Sequence, residues 1–459
     1  MFGKLVGPDL VEMIAERRFG DLRRSLMALS PPMVGEAFSD MVPEDVAVVF
    51  RVLPRELAAD IFEYLPFDTQ EALLRSLGTE QVAAILDEMA PDDRTALLEE
   101  LPGPVTRRLL GLLSPEERRI ATHLLGYPPE SIGRRMTPDY VAVRADWTVA
   151  QILEHIRKVG HDKETLNVIY VVDDKGVLID DVKLRELVLL DPATVLSEKM
   201  DREFFELRAD QDQEEAVKAF RDLDRIALPV VDSTGHLVGI VTVDDVLDVA
   251  EEEATEDIHK MAAIEALDAP YLDVGLGTLI RKRAIWLSLL FVGEMFTATA
   301  MGYFEHEIAR AAVLALFIPL IISSGGNSGS QASSLIIRSL ALGELRIGDW
   351  WRVFARELVS GLALGCILGT IVVLRIVFWP WRSAIYGEHY AVIGVTVGIT
   401  VVGVVTYGTL VGATLPILLR RCGLDPAVSS APFVATLVDV CGIVIYFSIA
   451  AILLRGVLL

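Results

Sequence analysis

The chain has 459 residues, 52% of them hydrophobic, and a formal net charge of −23 from 65 acidic against 42 basic residues. High hydropathy and strong acidity do not fit one globular unit and belong to different parts of the chain, and so acidic a balance excludes nucleic acid as a partner. Three cysteines, Cys366, Cys422 and Cys441, all lie in the apolar half without a CxxC pair, which excludes a disulfide framework or zinc site and leaves them as packing residues.

The opening "MFGKLVGPDLVEMIAERRFG" lacks a sustained apolar core and a small-residue cleavage site, so a cytosolic start is expected. From 42 to 114 the chain repeats roughly every 12 residues: "VLPRELAADIFEY", "LPFDTQEALLRS", "LGTEQVAAILDEM", "APDDRTALLEE", "LPGPVTRRLLGL", "LSPEERRIATHL". Each unit opens with Leu or Ala followed by Pro, Gly or Ser, then acidic residues suited to a helix N-terminus, then a short apolar face. Helices this short cannot bury a face alone, so they are expected to stack into a superhelix, an interaction module with nothing catalytic in it.

A second repeat follows. "MTPDYVAVRADWTVAQILEHIRK" from Met136 matches "MDREFFELRADQDQEEAVKAFRD" from Met200, and "VIYVVDDKGVLIDDVKLREL" matches "ALPVVDSTGHLVGIVTVDDVL". The order of helix, strand, Gly turn, strand and helix start resembles the tandem regulatory (CBS) module first described in cystathionine β-synthase. In that family a Thr-x-x-Asp after the second strand can hold a nucleotide ribose. Thr242 and Asp245 match it in the second copy, whereas the first copy has "KLRE", so the resemblance implies ATP at one site at most.

Acidic residues crowd the second copy and its sequel: Asp212, Glu214, Asp222, Asp224, Asp244, Asp245 and Asp248, then "EEEATEDIHK" over 251–260. Carboxylates packed together repel, and divalent cations would relieve the repulsion. The run leads through "MAAIEALDAPYLD", a helix-compatible connector, into the apolar half.

Five segments there are long enough to cross a membrane: 284–303, 308–323, 358–378, 390–419 and 429–454. Basic residues before the first (Arg281, Lys282, Arg283), between the second and third (Arg338, Arg346, Arg352, Arg356) and between the fourth and fifth (Arg420, Arg421) place the N-terminus in the cytoplasm and the C-terminus outside. Asp439 falls near the middle of the fifth segment, where a carboxylate costs several kcal/mol unless it faces water, an ion or a partner. Glu294 in the first segment is a second such residue, functional or structural on these grounds alike. Ala435 and Thr436 share the Asp439 face or border it by three-and-four spacing. The second segment is short unless its helix continues past the glycines of "SSGGNSGS"; otherwise that stretch is either a cavity lining in which Gly325, Gly326 and Asn327 offer bare oxygens to a hard cation or a loop at the cytoplasmic end.

Taken together, "PLIISSGGNSGSQ", "PFVATLVDVCGIVIYF" and "VTVDDVLDVAEEEATEDIHK" resemble the MgtE family of magnesium channels over nearly the whole chain. The resemblance implies a multidomain α and α/β architecture: a helical superhelix (1–132), two CBS domains (133–199 and 200–250), a connecting helix (251–280) and a five-helix all-α transmembrane domain (281–459). It further implies a homodimer in the plasma membrane whose pore site holds Mg2+ or other divalent cations at Asp439, beside the Asn327 loop; the residue pattern itself adds Gly325, Gly326, Ala435 and Glu294 as candidates. Regulatory Mg2+ would bind Asp212, Glu214, Asp224, Asp245, Asp248, Glu253, Glu256 and Asp257, with Asp92 and Asp93 as partners on the superhelix. No ATPase is expected, because no Gly-x-x-x-x-Gly-Lys-Ser/Thr loop occurs. Two other classes stay open, a membrane-anchored divalent-cation sensor and an ion-coupled secondary cation transporter. A chloride channel fits less well, since five spans are too few and a mid-membrane carboxylate repels the anion.

Overall fold

The computed structural model describes residues 2–38, 41–267, 271–272 and 274–455. The chain divides into two units, Met1–Glu251 and Glu252–Leu459.

In the first unit, helices Phe2–Ala15, Phe19–Met27 and Pro31–Phe38 lead into seven more: Pro43–Val52, Arg55–Glu63, Phe67–Ser76, Thr79–Glu88, Pro91–Glu100, Gly103–Leu110 and Pro115–Leu124. These seven begin 12 residues apart, the period visible in the sequence. Proline sets the starts: Pro43, Pro91 and Pro115 open their helices, where a missing N–H costs nothing. One core residue recurs per repeat, Phe38, Phe50, Phe62, Leu74, Leu86 and Leu98, all buried. The three phenyl rings meet at centroid separations of 6.0 and 6.3 Å, each pair adding ~1 kcal/mol to the burial term.

Polar stitching follows the same period. At the fourth position of three helices, Gln70 donates to the Phe62 carbonyl at 2.8 Å, Arg94 to Leu86 at 2.9 Å and Met89 at 3.3 Å, and Thr106 to Leu98 at 3.2 Å and Leu101 at 3.1 Å. Each side chain thus bonds carbonyls at the C-terminal end of the preceding helix.

Two three-stranded sheets follow. The first orders β1 (Ala142–Arg144), β2 (Val168–Val172) and β3 (Leu178–Lys183), the second β4 (Leu207–Arg208), β5 (Ala227–Val231) and β6 (Leu237–Thr242). In each, the first pair is parallel and the second antiparallel. Gly176 and Gly235 turn the hairpins at φ of 88° and 84°, where only glycine is unstrained. The copies bond reciprocally at these turns, Leu178 N–H to Gly235 O and Leu237 N–H to Gly176 O, each at 3.1 Å.

The connecting helix begins at Val243, directly after β6, and ends at Met261, whereas the sequence suggested 251–280. Part of the expected connector, 268–270 and 273, lies outside the described residues.

Among the described residues, five helices are long and apolar enough to cross a membrane. In order they run Leu276–Tyr303, Ile318–Ala341, Trp350–Phe378, Tyr390–Arg421 and Ala431–Leu453. The fourth lies at the centre, in contact with the second, third and fifth, while the first packs mainly on the fifth. The glycine-rich stretch does not break the second helix, contrary to the reading of it as loop or bare-backbone lining. A short helix Glu305–Arg310 and a 3-10 turn Ala312–Phe317 precede it, and it then runs unbroken through Gly325, Gly326 and Gly329. These glycines serve close approach, since a methyl added at Gly408 or Gly412 of the fourth helix would fall on the carbonyl oxygen of Gly325 or Gly329. Arg375, in the last turn of the third long helix, stacks on the Trp379 ring with its guanidinium 3.4 Å from the centroid.

Gly412→Ala should therefore lower the thermal midpoint of the detergent-solubilised protein by about 5 °C or more, at roughly 2–4 °C per kcal/mol. Gly403→Ala on the same helix should leave it unchanged, because the nearest atoms, on Ile445 and Ile449, stand at an ordinary 3.6 Å. Equal midpoints for the two variants would refute the packing role.

Candidate metal sites

The first unit brings carboxylates from distant parts of the sequence into one electrostatic field. Asp92 and Asp93 open the helix Pro91–Glu100, an ordinary place for acids beside a helix N-terminus. Burial overrides that benefit. Asp92 is 7% exposed, and its Oδ1 is buried without a hydrogen-bond partner. Desolvation first, then repulsion from Asp245, Asp93 and Glu164, holds its carboxyl well above the usual range. Asp93 is pushed up to about 7 by desolvation and by Glu63, Asp245, Glu164 and Asp248.

Thr242 ends β6, and its hydroxyl donates to Asp245 in the first turn of the connecting helix. Asp245 still rises to about 6, because desolvation and repulsion from Asp244 and Asp248 outweigh that bond. Glu63 reaches about 7 through desolvation, opposed by the Ala90 N–H that it accepts at 3.2 Å. Glu164 is raised by desolvation and by Asp245, Asp244 and Asp139.

Asp92, Asp93, Asp245 and Asp248 share this field, and Glu63 and Glu164, which the sequence did not single out, belong to it as well. For Glu63 a signal existed: an acid as the last residue of a helix opposes the macrodipole and calls for another reason to be there. Local contacts hold three other expected ligands. Asp212 accepts the Glu214 N–H at 2.9 Å, Glu214 pairs with Lys218 at 3.3 Å, and Asp224 sits left-handed (φ 51°) after its helix. Glu253, Glu256 and Asp257 follow along the connecting helix, with Glu256 paired to Lys260 at 2.7 Å. No three His, Cys, Asp or Glu side chains among the described residues are arranged to hold a bare metal ion.

In the second unit, Asp439 lies near the middle of the fifth helix, half-buried. A methyl on Gly326 would meet the Ala435 Cβ at 3.5 Å and the Asp439 carboxylate at 3.8 Å, so the second helix abuts the fifth there. Gly325 instead faces Val404 and Val438, and its carbonyl turns to Gly408, so it does not offer the expected oxygen toward Asp439. Asn327 is exposed in the single chain, its amide nitrogen donating to the Ser323 hydroxyl at 3.4 Å. Gly293 brings the first helix against Thr436, and Glu294 is then close enough for its charge to repel that of Asp439. Glu294 is exposed, as are its neighbours Phe291, Met295 and Phe296.

Three family models match the chain. One for MgtE, described as a divalent cation transporter, matches 318–449; one for the MgtE intracellular N domain matches 29–130; one for the CBS domain matches 130–190 and 195–252. "Magnesium transporter MgtE" of Thermus thermophilus is 43% identical over 351 residues, 76% of this chain and 76% of that protein. The protein of the same description in Enterococcus faecalis is 32% identical over 341 residues, 74% and 73% of the two chains. Among solved structures, the cytosolic domain of the Mg2+ channel MgtE in complex with ATP matches with 38% identity and a TM-score of 0.51, over 53% of this chain and 99% of that one. The soluble part of a magnesium transporter matches with 29% identity and a TM-score of 0.52, over 55% and 99%.

Proposed function

Because the chain belongs to the MgtE family of magnesium transporters, we propose that it is a homodimeric channel that admits Mg2+ passively across the plasma membrane and closes when cytosolic Mg2+ rises. The observation that carries the reading is Asp439, a carboxylate at mid-helix in a membrane-length segment, beside Gly326 and in the field of Glu294. Such a pair in hydrocarbon is costly unless it borders water and a cation. The exposed face of the first helix, which includes Glu294, favours a second copy that would enclose it.

Closure rests on the acidic field. Without a cation, Glu63, Asp92, Asp93, Glu164, Asp245 and Asp248 repel one another; bound hydrated Mg2+ relieves the repulsion and holds superhelix and CBS pair together. Asp212, Glu214, Asp224, Glu253, Glu256 and Asp257 belong to the proposed set through the family resemblance. The pair Thr242 and Asp245 would hold the ribose of ATP, the ligand of the related cytosolic domain. No energy source besides the membrane potential is needed: about 2.3 kcal/mol per charge per 100 mV, doubled for a divalent ion.

Uptake of Mg2+ into proteoliposomes under an inside-negative voltage, with no H+ or Na+ gradient, tests the passive step. Flux that follows voltage alone is expected. A flux that needs an H+ or Na+ gradient would favour a coupled transporter, and no flux under any condition a sensor.

A further inference from the structure

We propose that Arg352 and Arg356 hold the headgroup of an anionic phospholipid whose acyl chain lies along the exposed stripe of the third long helix. The inference needs that helix to lie in a bilayer; it does not need the channel reading.

The helix has two unlike faces. Gly361, Gly365 and Gly369 meet the fourth helix so closely that a methyl on them would strike Thr409, Val402 or Gly398. Two residues before each glycine, and so about 200° around the helix, stand Val359, Ala363 and Ile367, all exposed. Arg356 and Arg352 continue that line toward the start of the helix in steps of three and four residues. Both are exposed, the Arg352 side chain to 89%. The stripe therefore offers positive charge where a headgroup lies and hydrocarbon where a tail lies.

The neighbouring acids do not cancel this charge. Glu357, four residues before Gly361, shares the packed face, and its carbonyl accepts the Thr409 hydroxyl at 3.4 Å. Asp349 pairs with Arg352 at 3.2 Å, but a pair so exposed is weak and yields to a phosphate, which a guanidinium grips through two N–H groups. Trp350 and Trp351 directly precede the arginines and are 46% and 61% exposed. Trp351 is held in place by Phe354, whose ring lies 8° from parallel at a centroid separation of 5.4 Å. Exposed indoles at the end of a span mark headgroup depth, so the guanidinium groups stand at the level of lipid phosphates. Arg352 and Arg356 are about 6 Å apart along the axis, close enough for one phosphate to bond both.

Native mass spectrometry of the full chain in mild detergent, given phosphatidylglycerol or phosphatidylcholine, reads the preference of the first lipid to bind. The wild type should bind the anionic lipid at least about tenfold more tightly, as two basic groups beside its headgroup allow. Arg352→Gln with Arg356→Gln should abolish the preference. Arg356→Gln alone should weaken it, and it carries the test should the double variant not fold. Arg281→Gln with Arg283→Gln removes two exposed arginines from the first helix and should leave the preference intact. Equal losses in the two double variants would mean a general attraction of basic residues to lipid and would overturn the site. Competition by millimolar inorganic phosphate would show an anion site with no use for a tail, and would overturn it too. Ala363→Trp, which thickens the stripe, should leave the oligomeric state unchanged; a shift in that state would put a second copy on this face instead. A wild type that shows the preference but carries no voltage-driven flux refutes the channel reading and keeps the lipid site.

Discussion

Asp439→Ala is expected to reduce Mg2+ uptake by about 100-fold or more while the protein still folds, a barrier change of about 2.7 kcal/mol at 1.36 kcal/mol per decade. The physical reason is the charge of the ion. A divalent cation held about 5 Å from a carboxylate, through a layer of its own water, gains roughly 7 kcal/mol at an effective dielectric of 20. Losing even half of that exceeds the stated barrier. Asp439→Asn keeps the shape and a polar oxygen and removes only the charge, so it should fail nearly as badly; a conducting Asn variant would show that charge is not what the site supplies. Normal elution and melting of both variants separate a lost ion site from a lost fold. Glu294→Gln bears on the same point with a smaller effect, because Glu294 acts on Asp439 from the neighbouring helix.

The second large effect is on the acidic field and depends on pH. Glu63 and Asp93 stand at about 7 in the folded protein against ordinary values of 4.5 and 3.8, so the folded state holds their protons more tightly than the unfolded one. Their contribution to stability is therefore complete below about pH 4 and lost as pH rises through about 7. With Asp92 raised likewise and Asp245 to about 6, the Mg2+-free protein should lose at least about 2 kcal/mol of local stability between pH 5 and 8, since a tenfold change in proton affinity is worth at most about 1.36 kcal/mol. Millimolar Mg2+ should restore it at pH 8 and do little at pH 5, where protons already neutralise the field. Hydrogen exchange over 91–100 and 243–251, corrected for the intrinsic pH dependence of exchange, reads this directly. Asp92→Asn with Asp93→Asn should flatten both the pH and the Mg2+ response. Protection that rises with pH in the absence of Mg2+ would contradict the account.

Much of the architecture was legible because its periods are short. A helix start every 12 residues declares itself through the repeated Leu-Pro, Ala-Pro and Ser-Pro openings, as at Pro91 and Pro115. The CBS pair was visible as a repeat, down to the Gly turns at Gly176 and Gly235. What local pattern hides is contact between distant residues. Glu63, Asp93, Glu164 and Asp245 come from two superhelical repeats and both CBS copies, and only the fold sets them within reach of one another. Asp92 and Asp93 entered the expected set through family resemblance, since by position alone they are ordinary first-turn acids.

The stretch around Gly325 and Gly326 misled for a physical reason. In water, neighbouring glycines and serines favour a loop, but at membrane depth every backbone group needs an internal partner, and small residues allow helices to touch. Gly325 and Gly329 meet Gly408 and Gly412, and that packing outweighs their poor helix propensity. Likewise the connecting helix was expected over 251–280, whereas it starts at Val243, directly after β6, and ends at Met261.

The central claim, an ion pathway closed by its own substrate, is tested most directly by recording current from the reconstituted full-length protein at fixed voltage while Mg2+ on the side bearing the N-terminal unit is stepped upward. The account predicts an inward Mg2+ current, present without any H+ or Na+ gradient, that falls steeply as that Mg2+ rises and is absent in Asp439→Ala. A current indifferent to Mg2+ on that side, or one that survives in Asp439→Ala, would contradict it.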